Sequence, residues 1–480
     1  MSRALQQLLS ASHSLKLNRL AIAVIIGAAV MLIRVPDGVT AAGWRAFGLF
    51  VAFICSCILN AAGIGELAIL LICALIVTKS MPIDDLLAGF GNSAVWLVLF
   101  AFFASIGFRN TRLGYRIAYA IIARIGNHPI ALAYAISLCD VLIAPFVPNT
   151  NARGAGILFP ITKALVEASG SKPDDHTEKK IGQFLMLASF HLNLIIGGLF
   201  LTSMSTNPLA AAMLNKTFHT SLTWGRWFLF ASVPMLLATA VVPCIIYAMN
   251  KPTLSAEEMK AAPTFARTQL RQMGRLSTDE ALMAIVFLGM IILWTIGSKL
   301  GIDTTTVAIA GVAALLVVRV VSYQDIVQEA KAWDILLWLA PLIAITGYLV
   351  KAGIIAWIVT VVQKPLAHAP IAAAFVILAL IYFYIHYLLT SLFVHIQTFF
   401  LPFVGILASM GMNPLVVGMV FALLTCVSPG TTHYGTGTAS IYYSTGYVTQ
   451  KQWWATGFIV SLAELGIIGG VGFAWISLVA

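Results

Sequence analysis

An all-α, polytopic membrane fold is what this chain predicts, and three observations carry the prediction. Of its 480 residues, 60% are hydrophobic and only 10% are charged, too few for the surface of a soluble globule. Apolar stretches recur along the whole chain at lengths near the roughly twenty residues a helix needs to cross a bilayer. One motif is also written twice: Arg153 stands seven residues before Pro160, and His395 seven before Pro402.

The apolar stretches fall in order at 20–35, 43–61, 66–78, 94–109, 130–147, 184–204, 226–249, 281–298, 304–321, 333–350, 370–388, 413–427 and 455–478. Several are too short to span alone, so roughly ten to twelve crossings plus re-entrant pieces are expected. None alternates apolar with polar residues as the strands of a membrane barrel do.

In a soluble chain the net charge of +10 would point to nucleic acid; here it reads as cytoplasmic flanks of membrane spans. Arg3, Lys16 and Arg19 precede the first span. The longest polar connection carries Lys251, Lys260, Arg267, Arg271 and Arg275 against Glu257 and Glu258. Both regions are expected in the cytoplasm, with the bilayer as medium and no nucleic-acid partner. The first apolar run lacks a small-residue cleavage pattern and reads as a retained helix. Six cysteines, at 55, 57, 73, 139, 244 and 426, lie in or beside apolar runs and read as small buried residues.

An offset of about 240 brings the halves into register. Asp85 meets Asp325, Gly107 meets Gly347, and Pro160 meets Pro402. Matches in order point to an internal repeat: a cytoplasmic N-terminus over 1–17, a first transmembrane repeat over 18–250, a cytoplasmic linker over 251–279 and a second repeat over 280–480. An odd number of crossings in each repeat inverts the second relative to the first. That plan places a binding site near the midplane between repeats.

Three segments carry candidate chemistry. The run from Asp140 to Gly156 holds Pro145, Pro148, Asn149, Thr150 and Arg153, so one helix stops near 144–147 and another starts near 151. Free N–H groups of the new first turn bind an anion, with Asn149 and Thr150 adding directed hydrogen bonds. Arg153 opposes the helix dipole and is costly at membrane depth, so a negative partner is expected. Three readings stand: a packing salt bridge with Asp140, contact with a substrate carboxylate, or snorkelling to the interface. In the matched second run, Ser391 falls where Asn149 was and His395 where Arg153 was. His386 and Gln397 have no matching partner and read as packing groups. The third segment, Cys426 to Gly437, breaks an apolar context with Gly430, Thr431 and Thr432 and must line a wet cavity or be covered by protein. It lacks the pattern of a phosphate loop. Its first-half counterpart is the stretch from Gly197 to Pro208. Asp140 and Glu464 are the intramembrane carboxylates open to a proton-coupling role. No spaced set of metal ligands, cofactor motif or nucleophile elbow is present, so an enzyme is not expected.

Asp140 to Gly156, and still more Ser428-Pro429-Gly430-Thr431-Thr432-His433-Tyr434-Gly435-Thr436-Gly437 with Ile441-Tyr442-Tyr443 and Gly446-Tyr447-Val448, resemble the divalent-anion/sodium symporter family in its citrate-carrier and 2-oxoglutarate/malate-translocator branch. The resemblance implies an inverted-repeat fold with two re-entrant helical hairpins, a homodimer, an elevator-type motion, and di- and tricarboxylate substrates such as succinate, malate, 2-oxoglutarate, tartrate and citrate. Sodium-coupled members carry Ser-Asn-Thr at both hairpin tips. This chain has Pro148-Asn149-Thr150 and Thr390-Ser391-Leu392. Arg153 and His395 then become fixed charge compensators in place of mobile sodium, and a fixed cation favours obligatory exchange. The expectation is therefore a sodium-independent antiporter of a bacterial inner membrane with substrate contacts at Asn149, Thr150, Arg153, Ser391, His395, Gly430, Thr431 and Thr432. The alternatives are a sodium- or proton-coupled symporter and an anion channel.

Overall fold

The computed structural model describes residues 15–363 and 369–480; Arg3, with most of the expected N-terminal segment, lies outside them. After α1 (Leu17–Leu32) the elements run through one order twice. The first pass is α2 (Ala41–Ile58), α3 (Ile64–Val77), the short α4 (Ile83–Leu87), α5 (Ser93–Thr111) and α6 (Leu113–Ile125). A hairpin follows, made of α7 (Pro129–Ile143) and α8, which is π-helical over Asn151–Leu158 and α-helical over Phe159–Ala168. Next come α9 (Gly182–Leu199), a break, α10 (Thr206–Phe218) and α11 (Trp224–Met249).

Two linker helices, α12 (Ala256–Met259) and α13 (Ala261–Gln272), separate the passes. The second pass is α14 (Thr278–Ile296), α15 (Thr304–Val317), α16 (Tyr323–Gln328), α17 (Ala330–Lys351), α18 (Ile354–Gln363), a hairpin of α19 (Ile371–Tyr384) and α20 (Leu392–Ser409), α21 (Pro414–Val427), a break, α22 (Gly437–Tyr443) and α23 (Gln450–Val479). The residues matched in sequence occupy matched elements: Asp85 and Asp325 in α4 and α16, Gly107 and Gly347 in α5 and α17, Pro160 and Pro402 in α8 and α20.

Among the described residues 11 helices are long and apolar enough to cross a membrane, and no strand occurs. Polar residues mark helix starts. Thr40, Asn92, Thr223, Asp303 and Asn413 accept hydrogen bonds from first-turn N–H groups, and Ser277 with Glu280 and Thr449 with Gln452 form reciprocal capping boxes. Gly353, at φ +87°, turns α17 into α18 where a Cβ would lie 2.3 Å from the Gly38 carbonyl oxygen, so no side chain fits. Every residue of α9 is buried, and this helix forms the centre against which α7, α11 and α21 pack.

The linker is helical and docked. Arg116 of α6 donates from Nε to Glu280 at 2.8 Å and from its Nη atoms to the carbonyls of Gly274, Met273 and Arg275. Lys180 Nζ donates to Glu258 at 2.7 Å, while the Ser255 N–H and hydroxyl donate to the other oxygen of the same carboxylate. These bonds, Lys180 first, pull the Glu258 carboxyl from 4.5 down to about 2. A depressed folded-state value stabilises docking above about pH 4.5 and loses that effect as pH falls toward about 2. Pepsin should therefore nick the 251–260 segment of Glu258→Gln faster than that of the native chain near pH 4.5. The ratio of the two rates should approach one as pH is lowered to about 2; a ratio independent of pH would remove the pair from linker docking.

Candidate functional site

Both hairpins break within apolar sequence, and each break is followed by a π-helical stretch and a proline. Pro160 has no N–H to give the Gly156 carbonyl, which instead accepts from the Tyr115 hydroxyl at 3.4 Å; Pro402 stands in the same relation to Thr398. With those bonds deleted, the ladder upstream shifts register into π-turns at Asn151–Leu158 and Ile396–Phe400. The duplicated spacing read in the sequence is therefore a duplicated backbone distortion.

The two tips differ in how their helices begin. Asn149 Oδ1 accepts from the N–H groups of Asn151 (2.8 Å) and Ala152 (3.1 Å), capping α8 and leaving its own amide NH2 free. Ser391 makes no such cap. The N–H groups of Leu392, Phe393 and Val394 at the start of α20 have no acceptor among the described residues.

The chain breaks again at 200–205, where side chains satisfy the last carbonyls of α9. Ser203 Oγ donates to the Gly197 carbonyl (2.6 Å), and Asn207 Nδ2 is within reach of the Gly197 (2.8 Å) and Phe200 (2.9 Å) carbonyls. In the second half, the break at 428–436 is tied across to the first hairpin, because the Thr438 N–H and hydroxyl both donate to Asn151 Oδ1, at 2.8 and 2.7 Å. Gly154 allows this approach: a Cβ there would meet Thr438 Cγ2 at 2.9 Å.

These four breaks meet around one cavity of about 120 Å³. Asn149, Thr150 and Asn151 line one side, and Thr390, Ser391, Leu392 and Phe393 the other. Met204, Ser205, Thr206, Thr436 and Gly437 complete it. No charged side chain lines the cavity. The first turns of three long helices, α8, α10 and α20, converge on it instead, each contributing the positive end of a helix dipole.

Of the residues expected from sequence, Asn149, Thr150 and Ser391 are brought together in this cavity. The others are placed elsewhere. Arg153 is fully buried and takes the packing reading. Its Nε donates to Asp140, its Nη1 to the carbonyls of Val147 (2.8 Å) and Ser203 (2.6 Å), and its Nη2 to that of Asn193 (3.4 Å). Asn193 Nδ2 donates to the remaining Asp140 oxygen at 2.9 Å. The pair is neutral as a unit and clamps the first tip to the 200–205 break, so the expectation of a free charge compensator at Arg153 is corrected in this conformation.

His395 is fully buried one turn beyond Ser391, with its Nδ1 3.1 Å from Nδ1 of His386. Gly430, Thr431 and Thr432 are buried and line no part of the cavity. Gly430 packs on His191, and the Thr431 hydroxyl donates to the Ser428 carbonyl. The Gly/Thr-rich break reaches the cavity through its later residues Thr436 and Gly437. Gln397 accepts from the Thr346 hydroxyl at 2.7 Å, and Glu464 is buried in α23. Sequence reasoning missed Ser205 and Thr206 as wall residues; the signal was present as a polar run at the end of an all-apolar helix.

The chain matches the family described as Sodium:sulfate symporter transmembrane region over residues 14–480. It is 35% identical over 454 residues to Dicarboxylate transporter 1, chloroplastic, of Spinacia oleracea, which covers 94% of this chain and 79% of that protein. It is 35% identical over 462 residues to the Putative malate transporter YflS of Bacillus subtilis (strain 168), covering 96% of each. With the L-tartrate/succinate antiporter of Shigella sonnei (strain Ss046) it shares 30% identity over 475 residues, 94% of this chain and 96% of the relative. Among solved structures, the Alcanivorax borkumensis YdaH transporter superposes with a TM-score of 0.52 at 12% identity, covering 82% of this chain and 88% of that one, a likeness of fold.

Removing one partner of a buried, hydrogen-bonded ion pair costs about 3–5 kcal/mol. Arg153→Ala should accordingly melt far below the native protein in detergent, and Asp140→Leu combined with Arg153→Met should recover part of the loss. An Arg153→Ala protein with native melting would return Arg153 to a ligand role.

Proposed function

Because this chain belongs to the sodium:sulfate symporter transmembrane family, we propose that it is a secondary transporter that exchanges dicarboxylates across a bacterial inner membrane by sodium-independent antiport. The names of its relatives, dicarboxylate transporters and a tartrate/succinate antiporter, support the substrate class. The observation that carries the reading is the small cavity with neutral walls on which three helix N-termini converge.

A helix N-terminus carries about half a positive charge, so three supply roughly one and a half. That nearly neutralises a dianion and leaves a tricarboxylate trianion strongly undercompensated. Succinate, malate, tartrate and 2-oxoglutarate are therefore preferred over citrate. Asn149, Thr150 and Ser391 hydrogen-bond the carboxylates, joined by Ser205, Thr206 and Thr436, while Met204 and Phe393 pack on the carbon chain. Arg153 acts through Val147 and Ser203 as a positioning residue. His395 holds the second hairpin from one turn behind the tip.

Helix ends cannot leave with the substrate. The loaded site is close to neutral, and the empty site keeps its positive potential, which opposes its passage through the apolar barrier. Exchange follows. The hairpins and the α10 terminus move together as an elevator against the remaining helices, in a homodimer with the N-terminus and linker in the cytoplasm.

Proteoliposomes preloaded with succinate should take up labelled malate without sodium, and empty ones should not. Sodium-driven uptake into empty liposomes would establish symport in its place, and single-channel currents would establish a channel. Ser391→Ala and Thr206→Val should each raise the half-saturating malate concentration by roughly tenfold or more, the expected effect of losing a hydrogen bond to a charged group.

A further inference from the structure

Behind the second tip, a carbonyl and two imidazoles form a chain whose hydrogens follow once both rings are taken as neutral. A carbonyl only accepts, so the His386 Nε2 that lies 3.1 Å from the Gly435 carbonyl oxygen carries a hydrogen. The two Nδ1 atoms of His386 and His395 lie 3.1 Å apart, and one of them must donate to the other. With His386 neutral, its Nδ1 is the acceptor and His395 Nδ1 is the donor. The last nitrogen, His395 Nε2, is then a bare lone pair. It is buried and makes no hydrogen bond among the described residues, and the Tyr382 main chain is the polar group beside the ring.

The chain is wired to the cavity at both ends. The His395 backbone N–H donates to the carbonyl of Ser391, a wall residue, and Gly435 adjoins Thr436, also a wall residue. The groups nearest the pair are aromatic and neutral. Tyr382 of α19 lies against His395 at 4.4 Å between ring centroids, with its hydroxyl bonded to Thr425 at 2.6 Å, and Phe399 flanks the other side. Cys426 is the titratable group of α21. Of the helices packed on the second hairpin, α10 carries Lys216, α17 carries Lys331, Asp334 and Lys351, α23 carries Lys451 and the buried Glu464, and α18 and α21 carry no carboxylate or cation. Neither imidazole is within ion-pair distance of an acid among the described residues.

We propose that the His386–His395 pair is a proton-binding site coupled to substrate: a dicarboxylate entering the cavity draws one proton from solvent onto His395 Nε2, and its departure releases that proton. This rests on the dicarboxylate reading of the cavity. With the cavity empty, three helix N-termini oppose a further positive charge. With a dianion bound, the residual charge is negative, and the lone pair one turn behind the wall residue Ser391 is a base with no partner to satisfy it. By reciprocity, lower pH strengthens binding, at most about tenfold per pH unit for one proton taken up.

The test is titration calorimetry of the detergent-solubilised full chain with succinate, between about pH 7 and pH 9, where both substrate carboxyls are ionised. Repeating it in buffers of different ionisation enthalpy gives the number of protons taken up. Close to one is expected for the native protein, and succinate affinity should rise as pH falls. Binding with a count indistinguishable from zero overturns the proposal while leaving the dicarboxylate site intact; no binding of succinate, malate or tartrate at any pH overturns the site and the proposal together. In His395→Gln the count should fall to zero at whatever affinity remains, with His395→Phe, which keeps the ring volume, used if the Gln protein does not fold. A count still near one in the variant that binds overturns the assignment to His395.

Discussion

A main-chain break inside apolar surroundings strands N–H and C=O groups that water cannot reach, and the centre of this protein is organised by where those groups find partners. Four breaks occur, at 144–150, 200–205, 389–391 and 428–436. At the first, Asn149 closes the start of α8. At the second, Ser203 and Asn207 take the loose carbonyls of α9. The fourth is held by Asn151, which accepts twice from Thr438, and by the His386 bond to Gly435. The third is left open, and the cavity lies against it.

Arg153 and Asp140 make the arrangement rigid. A guanidinium alone in this interior would be prohibitively costly, but here it has a carboxylate and three carbonyls, and the carboxylate has Asn193 as well. Because the bonds run to Val147 on one side and Ser203 on the other, the pair fixes the distance between the first tip and the 200–205 break. Its function is geometric. The positive potential at the cavity comes from backbone dipoles, which need no counter-ion and whose orientation is locked by the helices that produce them.

Much of this was legible in the sequence, for identifiable reasons. Composition and apolar length predicted the membrane fold, and Pro160 and Pro402 marked matched positions of the two repeats, while the hairpins were implied by the family resemblance. Asn149, Thr150 and Ser391, singled out as polar residues at helix starts inside apolar sequence, line the cavity. Arg153 could not be placed. Its packing with Asp140, thirteen residues earlier, was one of three readings, and deciding among them needs the direction of the side chain. Gly430, Thr431 and Thr432 drew attention by composition, yet the break turns after them and presents Thr436 and Gly437. The His386–His395 pair escaped because the two residues sit on opposite arms of one hairpin, and only the fold shows that their rings meet.

The repeat is therefore symmetric in backbone and asymmetric in chemistry. The first hairpin carries its own cap in Asn149, so α8 is complete without a ligand. The second carries Ser391, whose side chain caps nothing, so the N–H groups of Leu392, Phe393 and Val394 wait for an acceptor. In the proposed function a bound carboxylate is that acceptor, and the substrate would complete the second hairpin as Asn149 completes the first. Each unsatisfied donor taken into an apolar barrier costs about 1–3 kcal/mol, so an empty carrier drags a penalty that a loaded one has lost. Charge and hydrogen bonding then act in the same direction. Both favour the loaded form for crossing, so the proposed exchange would rest on an uncapped helix end as firmly as on electrostatics.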